Sequence, residues 1–261
     1  MKQKKQTKPV HLSKDLIWIY GIHAVQRALL NPERQCLKLF LGPSSPILDH
    51  DLTEIKRARP SLEIVKEDKE FFNIQFGPQA THQGIALLVK NLPSYGVEEI
   101  LTPDRKQVLV VLDQVTDPHN VGAILRSCAA FNVDALILPD ANACPIESPV
   151  LAKNASGALE VVPIITVTNL ARTLDYLKKN GFWCVGLDEM GEDLGQKTKL
   201  EGNLVLILGA EGKGMRRLTK ENCDFLIRLP TAQDFATLNV SNAAAIVLYE
   251  VQRQNLVCSV N

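Results

Sequence analysis

The stretch VLVVLDQVTDPHNVGAILRSC, residues 108–128, decides the fold. Its first six residues, 108–113, are apolar without alternation, the pattern of a strand buried on both faces of a parallel sheet. A turn containing Asp117-Pro118 follows, and the spacing then predicts a helix over 120–131. Functional groups of α/β proteins collect where such strands end and helices begin. Asn120 is placed to cap this helix. Arg126 lies about 1.7 turns further on, so the two do not share a face. Arg126 sits in a run that is otherwise apolar or small, where an arginine is either paired internally or directed at an anion. Asp113 and Asp117 are read as groups that orient a basic side chain, or as turn residues.

Reading outward from this unit, strands are expected at 134–138, 161–166, 182–187, 203–208 and 224–229. Helices are expected around 148–158 and at 169–180, 215–222 and 237–253. This alternation argues for a parallel sheet covered on both faces. On the N-terminal side, residues 15–92 read as a small α/β unit. It has a helix over 20–32 stopped at Asn31-Pro32, a strand at 36–42, a helix at 52–59, and strands at 62–66 and 84–89. Residues 93–106, with two prolines, a glycine and mixed charges, read as a linker. Residues 1–14 carry Lys2, Lys4, Lys5, Lys8 and Lys14 with no acid, and read as a disordered basic arm that adds phosphate affinity.

Composition excludes several classes. The chain has 261 residues, 46% apolar and 22% charged, which is ordinary for a globular protein of two domains. No apolar run is long enough to span a membrane and no signal-type segment follows the basic start, so the reading is cytoplasmic. Formal net charge is zero, so a nucleic-acid partner is suggested only locally, by the arm and by Lys213, Arg216, Arg217 and Lys220. The six cysteines are scattered without a CxxC pair and the histidines show no zinc spacing, so no metal is expected.

Two further segments carry chemistry. LILGAEGKGM, 206–215, places three glycines after a strand, where bare backbone can approach a ligand. Glu211 is its only acid, and the loop is neither a Walker A loop nor GxGxxG. LPTAQDFATLNVSNAAAIVLYE, 229–250, closes a strand at Leu229-Pro230 and sets Thr237, Asn239 and Ser241 at a helix start. These polar groups either cap the helix or face a ligand together with the backbone near Leu238. Residues 238, 240, 243–248 and 251 leave that last helix little polar face. Such a helix packs between subunits or is buried in its own domain.

Taken in order, Asn120–Ser127, Leu208–Met215 and Leu229–Ala243 resemble the three motifs of the SpoU (TrmH) class of SPOUT methyltransferases. WIYGIHAVQRAL (18–29) and THQGIALLV (81–89) resemble the ribosomal-protein-like substrate-binding domain of the subgroup that methylates a guanosine ribose in 23S rRNA. In the third motif, Thr231 and Gln233 replace the usual methionine and glycine, Thr237 replaces the serine, and Phe235 is an added departure.

The resemblance implies a knotted (trefoil) parallel-sheet catalytic domain over 107–256, an RNA substrate-binding domain over 15–92, and a homodimer. It implies transfer of a methyl group from S-adenosylmethionine to the ribose 2′-hydroxyl of RNA, with 23S rRNA as the expected partner. Arg126 is then the group that positions the hydroxyl and stabilises charge, and secondarily takes its proton, with Asn120, Glu211 and Asn239 holding it. Gly209, Leu229, Leu238 and Thr237 are expected at the cofactor, where a side chain at 209 is expected to intrude. A tRNA ribose methyltransferase, or a non-catalytic RNA-binding protein of ribosome assembly, are the alternative readings.

Overall fold

The computed structural model describes residues 13, 15–103, 105–195, 198–232 and 238–258. Thr237, Gln233, Phe235 and all of the lysine arm except Ser13 lie outside the described residues. The chain divides into two compact units, one of residues up to 93 together with 146–160, the other of 94–145 and 161 onward.

The smaller unit contains β1 (Leu16–Tyr20), α1 (Ile22–Leu30), β2 (Cys36–Leu41), α2 (Asp49–Ala58), β3 (Glu63–Lys66), α3 (Lys69–Phe76), β4 (Ile85–Lys90) and, from the later segment, α6 (Pro149–Ala155). Its sheet runs β1-β4-β2-β3, with β4 antiparallel to both neighbours and β3 parallel to β2. Successive side chains of a strand point to opposite faces, and LIWIY uses both. Ile17 and Ile19 pack with Val25 and Ala28 of α1 and Ala152 of α6. Trp18 and Tyr20 pack with Phe40, Phe71 and Phe72, and Trp18 meets Phe40 edge-on at 5.1 Å between ring centres. β1 and α3 have no counterpart in the sequence reading. The short run at 16–20 adjoins a helix, and α3 is only eight residues long.

A charged cluster is buried in the same unit. The Arg34 and Glu160 side chains are 2% and 3% exposed. Arg34 Nε and Nη2 donate to Glu160, and Nη1 donates to the Lys90 carbonyl at 2.9 Å. Asn31 Nδ2 donates to Glu160 Oε2 at 2.8 Å. Both charges are thereby satisfied by protein groups.

The larger unit contains α4 (Val97–Ile100), β5 (Val108–Asp113), α5 (Pro118–Ala130), β6 (Ala135–Pro139), β7 (Ile164–Val167), α7 (Leu170–Lys179), β8 (Phe182–Asp193), β9 (Asn203–Gly209), α8 (Arg217–Glu221), β10 (Phe225–Arg228) and α9 (Val240–Cys258). Its six strands are all parallel, in the order β10-β8-β9-β5-β6-β7. On one face Leu109, Val111, Ile137 and Val205 pack with Leu170, Leu174 and Leu177 of α7. The alternate residues Val110, Leu112, Leu136 and Leu206 are buried as well, which is why these strands read as unbroken apolar runs. Val97, read as part of a linker, is buried in this core.

From β5 the chain moves outward through β6 to β7, then returns on the other side, where β9 lies between β5 and β8. The connections leaving β5 and β9 therefore diverge. The crevice beyond their carboxyl ends is a topological switch point, where α/β sheets bind ligands. Asp113 and Gly209 are register partners there.

α9 packs on α5 and β9 of its own unit. Val240, Ala244, Val247, Leu248 and Val251 form one buried stripe at helical spacing, whereas Leu238, Ile246 and Tyr249 are exposed. Most of the apolar surface that the sequence offered for subunit packing is thus used within the chain. The basic cluster is also largely paired: Arg216 with Asp113, Arg217 with Glu221, and Lys220 with Asp188. Among the described residues, no helix is long and apolar enough to cross a membrane.

Candidate active site

The start of α5 sets the position of the first motif. Asp117 is the cap, its side chain accepting from the His119 amide at 3.0 Å, and Pro118 opens the helix. Asn120 is therefore not the cap that its position suggested. It lies inside the first turn, and its side chain is available for longer contacts.

Those contacts join all three motifs. Asn120 Nδ2 donates to Glu211 Oε1 at 3.2 Å. Asn239 Nδ2 donates to Asn120 Oδ1 at 3.0 Å and to Glu211 Oε1 at 2.7 Å. The Val240 amide, the first of α9, also donates to Glu211 Oε1 at 3.2 Å. A carboxylate there complements the positive end of the helix dipole. Asn239 caps the same helix from within, its Oδ1 accepting from the Ser241 amide at 2.8 Å. Capping and site-building, posed by the sequence as alternatives, are performed by one side chain. Glu211 sits 91 residues from Asn120 and 28 from Asn239, so this network is a product of the fold alone.

Arg126 is exposed on α5, and its side chain has no hydrogen bond or ion pair among the described residues. The structure does not join it to the Asn120–Glu211–Asn239 network, as the 1.7-turn offset dictates. Among the described residues, no carboxylate pairs with its guanidinium.

The glycine loop folds back on the end of β9. Ala210 and Gly214 exchange backbone hydrogen bonds of 3.2 and 2.8 Å. A Cβ at Gly209 would lie 2.2 Å from the Gly214 carbonyl carbon. A side chain at 209 therefore collides with the backbone of the loop itself. Gly212 and Gly214 have φ of +76° and +66°, and a Cβ on either would meet nothing within 4 Å. The loop offers open backbone. Leu229 is half-buried after β10, and Leu238 is exposed just before Asn239.

Asp113 ends β5 fully buried. Its Oδ2 accepts from the Arg216 amide at 2.8 Å and its Oδ1 from Arg216 Nε at 2.7 Å. It therefore orients a basic group, as one of its two sequence readings held. An acid closing an otherwise apolar strand was the signal; its partner, 103 residues away, was not visible. A cavity of about 510 Å³ opens at the opposite end of the sheet, beside Gln107, Phe182 and Asn203, and no motif residue borders it. Among the described residues, no group of His, Cys, Asp and Glu could hold a metal ion.

The SpoU rRNA Methylase family model matches residues 107–249, and a model for RNA 2′-O ribose methyltransferase substrate binding matches residues 18–95. The 23S rRNA (guanosine-2′-O-)-methyltransferase RlmB of Pseudomonas putida is 40% identical over 245 residues, covering 92% of this chain and 97% of its own. RlmB of Vibrio vulnificus is 41% identical with the same coverage. In fold, the chain resembles the SpoU methyltransferase AviRb from Streptomyces viridochromogenes, solved in complex with AdoMet, with a TM-score of 0.80 at 21% identity, covering 93% of this chain and 91% of that one. With one family model spanning more than half of its length and relatives of about 40% identity along nearly all of it, this chain belongs to the SpoU rRNA methylase family.

Proposed function

We propose that the chain methylates the ribose 2′-hydroxyl of a guanosine in 23S rRNA, using S-adenosylmethionine. The observation that carries this reading is the meeting of Asn120, Glu211 and Asn239 at the switch point, with an exposed Arg126 on the same helix as Asn120. The names and extent of the relatives select the substrate.

The residues present fit the cofactor. The open backbone of the 209–214 loop suits a nucleoside that is read by backbone groups, and Gly209, Leu229, Leu238 and Thr237 are assigned to hold it. When bound, S-adenosylmethionine supplies an electron-poor methyl carbon on a positively charged sulfur. The protein has to align a weak nucleophile with that carbon and receive its proton. Alignment can contribute about 7–11 kcal/mol in the best cases. Arg126 is too strongly basic to be an ordinary proton acceptor. Its first role is to orient the 2′-oxygen and offset the negative charge that develops as the O–C bond forms; proton removal is secondary. Asn120, Glu211 and Asn239 tie the starts of α5 and α9 to the glycine loop.

The architecture supports finer assignments. After β10 at the sheet edge the chain returns to the centre, where α9 packs on α5 and β9; we read this as the trefoil knot of the SPOUT class. Residues 15–92 are assigned as the ribosomal-protein-like unit that binds the RNA substrate, and 107–256, apart from the 146–160 segment that belongs to the smaller unit, as the methyltransferase domain, supported by the two family models. The expected linker 93–106 instead begins the larger unit, with Val97 in its core. Exposed Ile246 and Tyr249 on α9 support a homodimer. A cytoplasmic location follows from an rRNA substrate.

The test is methyl transfer from labelled S-adenosylmethionine to an unmodified 23S rRNA fragment. Arg126→Ala should lower kcat by at least about 10²-fold with cofactor affinity retained, and Arg126→Lys should restore little, because lysine lacks the planar fork. Parental activity in Arg126→Ala overturns the assignment.

A further inference from the structure

We propose that Arg216 binds a phosphodiester of the RNA substrate, and that buried Asp113 is the positioning residue that aims it. This deepens the proposed function and rests on it.

The geometry separates the two halves of the Arg216 guanidinium. Asp113 is fully buried at the carboxyl end of β5, beside Gly209 across the sheet. Its carboxylate takes the Arg216 amide on one oxygen and Nε on the other, at 2.8 and 2.7 Å. Backbone and side chain are thus fixed by the same group. A guanidinium carries five N–H donors. One is used here, and the four on Nη1 and Nη2 have no partner among the described residues, on a side chain that is 41% exposed. Arg34, whose pair with Glu160 is structural, instead directs Nη1 and Nη2 to protein acceptors.

Place and chemistry point to the same ligand. Arg216 follows the loop that carries Glu211, so its free edge stands at the end of the sheet where the motifs meet. A ribose 2′-hydroxyl is flanked by the 3′-phosphodiester of its own nucleotide. A fork held rigid on one side can grip two phosphate oxygens on the other. Gripping that group fixes the ribose to be methylated, which a mobile lysine does less well.

The experiment uses the full chain and the unmodified 23S rRNA fragment. Arg216→Ala should raise the KM for RNA by on the order of tenfold, with the affinity for S-adenosylmethionine unchanged by calorimetry. The slope of log affinity against log salt should shallow by about 0.7–0.9, the value of one phosphate contact. Arg216→Lys should fall between, keeping the salt slope and losing part of the affinity. Arg105→Ala removes the same charge at the opposite end of the sheet, from an exposed side chain paired with Asp134, and should leave both KM and slope near parental values. Equal effects of the two alanine variants would reduce the result to general electrostatics and overturn the proposal, as would an unchanged KM and slope in Arg216→Ala. Loss of cofactor affinity in Arg216→Ala would place the residue at the cofactor's carboxylate or in the loop framework, and would also overturn it. A parental chain that binds and methylates the fragment while Arg216→Ala does so equally well sinks this inference alone. A parental chain that does neither sinks the proposed function as well.

Discussion

Among the described residues, each unit of this molecule buries a carboxylate against an arginine, and the two pairs are built to opposite ends. In the smaller unit Glu160 and Arg34 are both almost wholly removed from water, and Asn31 and the Lys90 carbonyl complete the cluster. In the larger unit Asp113 is fully buried while Arg216 remains 41% exposed. The first arrangement consumes the donors of its arginine within the fold. The second fixes an arginine and leaves half of it without a partner among the described residues, at the crevice where the three motifs converge. A buried ion pair is weak evidence of stability by itself, because desolvation opposes attraction. What distinguishes structural from functional use is where the remaining donors point.

The contrast predicts unequal responses to removal of the acid. Glu160→Ala strands a guanidinium that cannot reach water, a defect that costs about 3–5 kcal/mol. The full chain should show a clearly lowered melting transition, with affinity for S-adenosylmethionine nearly parental at temperatures below it. A melting transition unchanged by Glu160→Ala would break the comparison at its structural end.

Asp113→Ala should cost less stability, about 1–2 kcal/mol, because Arg216 can swing into solvent and only its amide loses a buried partner. Its functional effect should be the larger one. The end of the 209–215 loop is released, so RNA affinity should fall even in protein that remains folded. Denaturant titration of both alanine variants, beside RNA binding, checks the crossing of the two orders. If Asp113→Ala destabilises as much as Glu160→Ala and leaves RNA binding intact, both pairs are structural.

How much of this was visible beforehand depends on the range of the interaction. VLVVLD and the strand ending at Gly209 show themselves as buried parallel strands through unbroken apolar runs, and helical spacing shows α5 from residue 120, two residues after its start at Pro118. The order of the sheet was not visible, since a strand buried on both faces has no residue that names its neighbour. Placing β9 between β5 and β8 requires the fold. Asn120 and Asp117 are comparable caps by residue type, and only the backbone shows that the helix starts after the earlier one. Glu211 was recognised as a lone acid in a glycine loop, but its three donors come from two helices remote in sequence. The return of residues 146–160 to the smaller unit had no mark in composition at all; Glu160 finds Arg34 across 126 positions. On α9 the apolar content was legible and its target was not, because a stripe facing α5 and a stripe facing a second subunit are composed of the same residues.

The smallest expected effect tests whether the smaller unit's other polar groups are likewise devoted to its fold. His82 stacks on Phe72 with ring centres 4.7 Å apart, and its Nδ1 accepts from the Gly84 amide at 3.1 Å. That bond needs an unprotonated Nδ1. Burial, followed by repulsion from Lys69, holds the His82 imidazole below its ordinary value of 6.5. In the unfolded chain the same ring takes up its proton first as pH falls. The stabilisation is therefore complete above about pH 6.5 and is lost as pH drops from there through the folded value. Melting of the parental chain should decline modestly between pH 7.5 and 5.5, and His82→Gln should lose more stability at pH 7.5 than at pH 5.5, where part of the parent's benefit is gone. The ring resonance of His82, followed by NMR, should titrate below 6.5. A midpoint at or above that value would show that the stack and the amide bond do not hold the neutral form, and His82 would become available for a role at the surface instead of in the fold.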